Sequence, residues 1–361
     1  MKRRSLLLGA VALAAVPLLD QLSARGATVG RQGKVFVLLE LRGGNDGLNT
    51  VAPVADPLYL QARPRLALRE GVPLGGPGGL QLHPALASLR PAWEAQRLAI
   101  ALGVGWPKPN RSHFKAIDQW STGLASGEGP GWLATAFQKA GSPGPLVALS
   151  PEGSAALEGG PSLSLQLNLA TLTAPALVMP DPSAAGGNQI LRRLLALEEA
   201  GNRELARLKK ALAPLPTGLI VPGGDLGQQV ALALRLIASG LAPPVLEMSV
   251  GGFDTHSGQL GRQAGLLNRV GAALAALDDG LQRITDRPQV TLLTTSEFGR
   301  RLRENDSGGT DHGSASVSLL MGDHVPHPFL GTYPSLSQLD ARGDLIPGLS
   351  PPDLYRQALQ L

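Results

Sequence analysis

The sequence predicts an α/β fold: a doubly wound, mostly parallel sheet with helices on both faces. Three observations carry this. Short apolar runs recur along the chain, and most of them break off at glycine or a polar cluster. Helical periodicity fills the stretches between them, the alternation expected of a parallel sheet covered on both sides. Polar residues collect just past the runs, where open α/β sheets bind ligands.

The first run, "KVFVLLEL" (34–41), leads into "RGGNDGLNT", and "RLAIALGVG" (97–105) leads into "WPKPNRSHF". "PVLEMSV" (244–250) ends at "GGFDTH", and "QVTLLTT" (289–295) ends at "SEFGRR". A last run, "ASVSLLMG" (315–322), follows "SGGTDHGSAS". Helices are expected over 82–96, 112–123, 188–215, 226–241 and 258–285, with a short one closing the chain after Pro347. The 258–285 helix is the crossover between two of the strands.

The 361 residues suffice for one large domain, and 43% hydrophobic against 17% charged residues makes a buried core feasible. Residues 1–26 read as an export signal peptide. "MKRRS" precedes an apolar run from Leu6 to Leu19, too short to span a bilayer, and Arg3-Arg4 gives it a twin-arginine character. The expected destination is periplasmic or extracellular, with no membrane span once the signal is cleaved. The leader holds four of the 32 basic residues and one of the 28 acids, so 28 basic and 27 acidic residues remain after it. That near-neutral balance speaks against a nucleic-acid partner. Residues 27–361 are expected to form a single domain, with a Gly/Pro-rich and helical insertion or cap around 142–225. The chain has no cysteine, which removes disulfides, thiolate metal sites and cysteine nucleophiles.

Each polar cluster has two readings. Asn45 and Asp46 fit a glycine turn with helix caps as well as a functional loop. Asn110 or Ser112 is placed to cap the next helix, the commoner task. Asp254 and His256, two apart, point to one side of an extended segment and favour a site. Glu297 alone reads more simply as a partner of Arg300 or Arg301. Asp311 and His312, fenced by glycines, suit a metal loop, but they reach the same sheet edge only if the last strand is antiparallel. Joint placement makes the argument, with His312 the strongest single candidate and Asp311 its neighbour or outer partner.

"FVLLELRGGNDGLNTVAP", "LHPALASL", "LAIALGVGWPKPNRSHFKAIDQWSTG", "FDTHSGQ" and "SEFGRRLRENDSGGTDHGSAS", taken with the leader, resemble the exported family called domain of unknown function 1501. The resemblance spans about Val35 to Gly331. That family is in turn similar to the alkaline phosphatase and sulfatase superfamily, which implies an alkaline phosphatase-like fold and a metal-dependent hydrolytic site. The resemblance implies Ser112 as nucleophile, and Asp254, His256 and His312 as ligands of one divalent metal, zinc above others. Asp311, Glu297 and Asp46 are further candidate ligands. Arg42 or Arg111 would stabilise charged oxygens in the catalytic site, and Asn45 and His113 would touch substrate. The sequence departs from the superfamily at Arg42 and at Ser296-Glu297, which favours one metal over two. Sulfatases that need a cysteine-derived nucleophile are excluded, and no Gly-x-Ser-x-Gly elbow supports a serine esterase. The expected function is hydrolysis of a small anionic phosphate or sulfate ester. The alternative is a catalytically inactive envelope protein that keeps the fold to bind a protein partner.

Overall fold

The computed structural model describes residues 33–75, 77–140, 145–160, 162, 164–167, 172 and 185–361. The leader lies outside them, as does part of the 142–225 region. Strand β1 (Lys34–Leu41) shows why the sheet is covered twice. Val35, Val37, Leu39 and Leu41 enter one hydrophobic layer, while Phe36 and Leu38 enter the other. A strand buried on both faces reads as a continuous apolar run rather than an alternating one.

Three two-residue strands, Val51–Ala52, Val72–Pro73 and Gln81–Leu82, form a small separate sheet. The remaining strands, in chain order, are β2 (Leu98–Val104), β3 (Leu146–Ala148), β4 (Ser164–Gln166), β5 (Val245–Val250), β6 (Gln289–Thr295), β7 (Arg300–Glu304), β8 (Thr310–His312), β9 (Ser316–Met321) and β10 (Phe329–Gly331). Eight of them build one sheet in the order β10-β2-β9-β6-β1-β5-β3-β4. Strand β9 runs antiparallel to both β2 and β6, and every other neighbouring pair is parallel. The reversal of the last apolar run, the condition for Asp311 and His312 to reach the same sheet edge as the other polar clusters, is therefore present, and β9 lies inside the sheet. The short β10, not singled out in the sequence, forms the edge beside β2. At the opposite edge, β3 and β4 extend the sheet from within the 142–225 region.

Helices α1 (His113–Thr122), α2 (Trp132–Lys139), α3 (Gln189–Ala211), α4 (Asp225–Ala238), α5 (Gln259–Arg283) and α6 (Pro351–Ala358) pack around this sheet. Val230 and Leu234 of α4 and Leu266, Val270 and Leu274 of α5 join the layer containing Val37. Trp120 of α1, Leu133 of α2 and Leu354 of α6 join the layer containing Phe36. Each such aliphatic side chain contributes about 1.5–3 kcal/mol by leaving water. The helix expected over 82–96 is instead a 3₁₀ segment, Pro84–Leu89, followed by a short α-helix, Arg90–Glu94. Proline has no N–H to donate, so Pro84 and Pro91 fit only where a helix begins, and each starts its own.

Because β9 is reversed, the loop before it lies at the same sheet edge as the loops after the parallel strands. That loop contains the hairpin of β7 and β8, in which Arg300 pairs with His312. The hairpin turn binds the segment after β5. The N–H groups of Gly258 and Gln259 donate to the carbonyls of Ser307 and Gly308, and the N–H of Thr310 donates to the carbonyl of Thr255. Thus "DTH" and "TDH" are held side by side.

Candidate metal centre

Three histidines and one aspartate converge at this edge. His256 Nε2 lies 2.9 Å from His312 Nε2 and 3.0 Å from Asp254 Oδ1. His312 Nε2 is 3.1 Å from the same Oδ1, and His113 Nε2 is 3.5 Å from Oδ2. His113, Asp254 and His312 can each turn one ligand atom to a common ion, these atoms lying within 4.8 Å of one another. His256 adds a fourth donor. The group is open to solvent, since Asp254 keeps 45% of its side chain exposed and His256 44%.

The outer ring nitrogens explain how the histidines are oriented. His312 Nδ1 is 2.8 Å from the carbonyl of Arg111, which can only accept, so this nitrogen carries the proton. His256 Nδ1 faces Asp311 Oδ1 at 3.4 Å, and His113 Nδ1 faces Glu297 Oε1 at 2.9 Å. All three rings are thus held from behind while Nε2 points to Asp254. Burial, ahead of Arg300 and His113, lowers the His312 pKa and favours its neutral form. With its proton on Nδ1, a neutral His312 turns a bare Nε2 lone pair toward Asp254 Oδ1, two acceptors 3.1 Å apart. A cation between them relieves that repulsion, and imidazole ligands backed by carboxylates or carbonyls are the usual form of such a site. The donor set fits a divalent ion.

Asp254 holds its charge by similar means. Burial pushes against ionisation, but the hydrogen bond from Arg300 and the field of its guanidinium hold its carboxyl at about 2. Arg300 is fully buried. Besides Asp254 Oδ1 at 2.8 Å, it donates to the carbonyls of Gly43, Gly44, Phe253 and Thr310. One guanidinium therefore joins the loops after β1 and β5 to the hairpin. Phe298 packs between Arg300 and the rings of His113 and His312. The sequence pointed to Arg300 only as a partner for Glu297. Its partners lie as far as 257 residues away, and no local spacing reveals them.

Two glycines permit this closeness. Gly43 has φ +114°, and a Cβ there would stand 2.4 Å from the Asp254 nitrogen. At Gly309 a Cβ would lie 2.2 Å from the His256 carbonyl carbon.

The other sequence candidates fall in different places. Asp311 backs His256 and accepts from Asn305 Nδ2 at 3.1 Å; that hydrogen bond, ahead of His256, lowers its pKa. Glu297 Oε1, expected as a ligand atom, instead accepts from the Gly43 N–H at 2.7 Å while facing His113. His113, expected against substrate, joins the candidate ligands. Asp46, a further expected ligand, is 1% exposed and paired with Arg63 at 2.6 Å and Gln259 at 2.5 Å. A buried carboxylate needs such partners, and this one finds them in the core. Asn45 is also buried, with Oδ1 accepting from Thr50.

Neither arginine expected at a substrate anion is free for it. Arg42 lies 2.7 Å from Glu40 and within 3.6 Å of Glu152 and Glu247. Burial opposes its charge, but Glu40, followed by Glu247 and Glu152, raises its pKa overall. The Arg111 guanidinium pairs with the buried Asp344, so Arg111 serves the site through its carbonyl. Ser112 is exposed at the N-cap of α1, and its side chain makes no capping hydrogen bond. The N–H of Ser112 itself donates to Asn110 Oδ1 at 2.9 Å. Capping therefore does not explain this serine.

Among the described residues, no helix is long and apolar enough to cross a membrane. Residues 191–359 match the family described as "Protein of unknown function (DUF1501)". The matched stretch runs from α3 to the end of α6 and includes Asp254, His256, Glu297, Arg300, Asp311 and His312. It supports the family resemblance read from the sequence. No curated protein matches the chain.

Proposed function

We propose that the protein is an exported, metal-dependent hydrolase of small phosphate or sulfate esters. The observation that carries this reading is the meeting of His256 Nε2, His312 Nε2 and Asp254 Oδ1 within 3.1 Å of one another, with His113 beside them. The nitrogen-rich donor set suits zinc, which when bound would supply Lewis acidity toward an ester oxygen.

The chain's own residues do the rest. Glu297, Asp311 and the Arg111 carbonyl hold the rings so that Nε2 faces inward. Ser112 stands at the start of α1, one residue before His113, and is the candidate nucleophile. Its Oγ attacks phosphorus or sulfur and loses its proton to water, while the bond to the ester oxygen breaks and the alcohol leaves with a proton from water. A second water then cleaves the seryl ester, releasing phosphate or sulfate and restoring the hydroxyl. The N–H groups in the first turn of α1 would supply fixed dipoles for the anionic oxygens. They take the part expected of Arg42 and Arg111, whose guanidinium groups are engaged elsewhere.

Elemental analysis and a substrate panel test this. The purified protein should hold close to one divalent ion per chain and cleave aryl phosphates, phosphodiesters or sulfates. His256→Ala and His312→Ala should lose the metal; a content unchanged in both refutes the centre. Flat activity from folded, metal-loaded protein would turn the reading to an inactive envelope binding protein.

A further inference from the structure

A cavity of about 240 Å³ lies beside the centre, between the ends of β1 and β6, helices α1 and α2, and the loop around Gly153–Ala156. It shares two elements with the centre. Glu297, which faces His113, also lines the cavity. Helix α1 begins with His113 and turns Ile117, Trp120 and Ser121 into the cavity, residues four, seven and eight positions on. These spacings lie on one helix face, and four residues advance about 6 Å. An organic group attached to an oxygen held at the centre would reach this space, which has room for the volume of about eight waters.

The lining sets what that group is. Trp120, Trp132 and Tyr355 border the cavity, and its charged residues are Glu40, Arg42 and Glu297. The one guanidinium is already shared: Arg42 Nη2 is 2.7 Å from Glu40, with Glu152 at 3.5 Å from Nη1 and Glu247 at 3.6 Å. Carboxylates therefore outnumber the cation, and the surplus charge is negative. A second anionic group is disfavoured here, while a cation gains from the carboxylates.

We propose that this cavity is the subsite for the organic half of the substrate and that it selects an ammonium-bearing group, so that esters of amino alcohols are the preferred class. Its role toward substrate rests on the hydrolase reading; its affinity for an organic cation does not.

The test needs neither metal nor turnover. Two of the chain's four tryptophans border the cavity, so tryptophan fluorescence reports its occupancy. The whole mature chain is titrated, in chelator, with choline and separately with the uncharged carbon isostere dimethylbutanol; calorimetry supplies both affinities. Choline should bind at least about tenfold more tightly, a difference of about 1.4 kcal/mol. Glu40→Gln should remove most of that preference. Ile117→Arg sets a cation at a lining position that is 38% exposed, where folding tolerates it, and should abolish choline binding. Equal binding of the two probes, no binding of choline, or a preference that survives Ile117→Arg overturns the proposal. An inactive but choline-selective protein would retain the subsite and lose only the hydrolase reading.

Discussion

Arg300 Nη2 stands 2.8 Å from Asp254 Oδ1, so a fully buried guanidinium meets the carboxylate that three histidines face. This contact joins the stability of the fold to the chemistry of the site. Removing the guanidinium leaves four carbonyls and a carboxylate without their donor. Arg300→Met should therefore cost about 3–5 kcal/mol in urea unfolding. Arg300→Lys should recover only part of that, since one ammonium cannot span the same acceptors.

Asp311 touches His256 from the outside and should act through it. Asp311→Asn is expected to weaken metal binding about 10- to 100-fold with little change in unfolding free energy. Competition with a coloured chelator measures the first, and denaturant titration of the metal-free protein measures the second.

Ser112→Ala should leave thermal stability within about 0.5 kcal/mol of the parent, because the hydroxyl caps nothing. Metal content should stay the same while ester hydrolysis is lost. Retained hydrolysis would remove Ser112 from the mechanism.

Glu247 predicts a pH dependence of stability. Burial, with Glu40 adding to it, pushes its carboxyl up to about 8 from an ordinary value of 4.5. The folded state therefore binds a proton more tightly than the unfolded chain. Its favourable contribution is complete below about pH 4.5 and is lost as pH rises toward about 8. Glu247→Gln should flatten the stability profile across that window and make the variant relatively more stable at its alkaline end. Parallel urea titrations at several pH values will show whether the two curves diverge.

Gly43→Ala should damage the centre without touching a ligand. A methyl group at φ +114° and 2.4 Å from the Asp254 nitrogen forces the loop after β1 away. Metal stoichiometry should fall together with a loss of about 1–3 kcal/mol.

Much of this arrangement is legible in the sequence because it follows from periodicity and topology. The buried runs mark β1, β2, β5, β6 and β9, and the strand-end rule brings His113, Asp254 and His256 to one edge, where the reversal of β9 adds His312. Other features depend on partners that only the fold supplies. Arg42 had the residue type of an anion ligand, yet its near neighbour Glu40, joined by Glu152 and Glu247 from distant segments, occupies it. Asp46 had the type of a metal ligand, but Arg63 reaches it through the core. Strands β3, β4 and β10 have three residues each, too short for period-two alternation to stand out.

The residues that meet at the centre come from positions 113, 254, 256 and 312, so the chain between the outermost spans more than half of the protein. A cation held there ties β2's following helix to the loop ahead of β9, a covalent-like clasp in a chain that has no cysteine to make one. Closing a loop that long removes more freedom from the unfolded chain than from the folded one. The ion's binding energy would then act as resistance to unfolding, and chelation should lower the thermal midpoint of the whole domain rather than loosen the site alone.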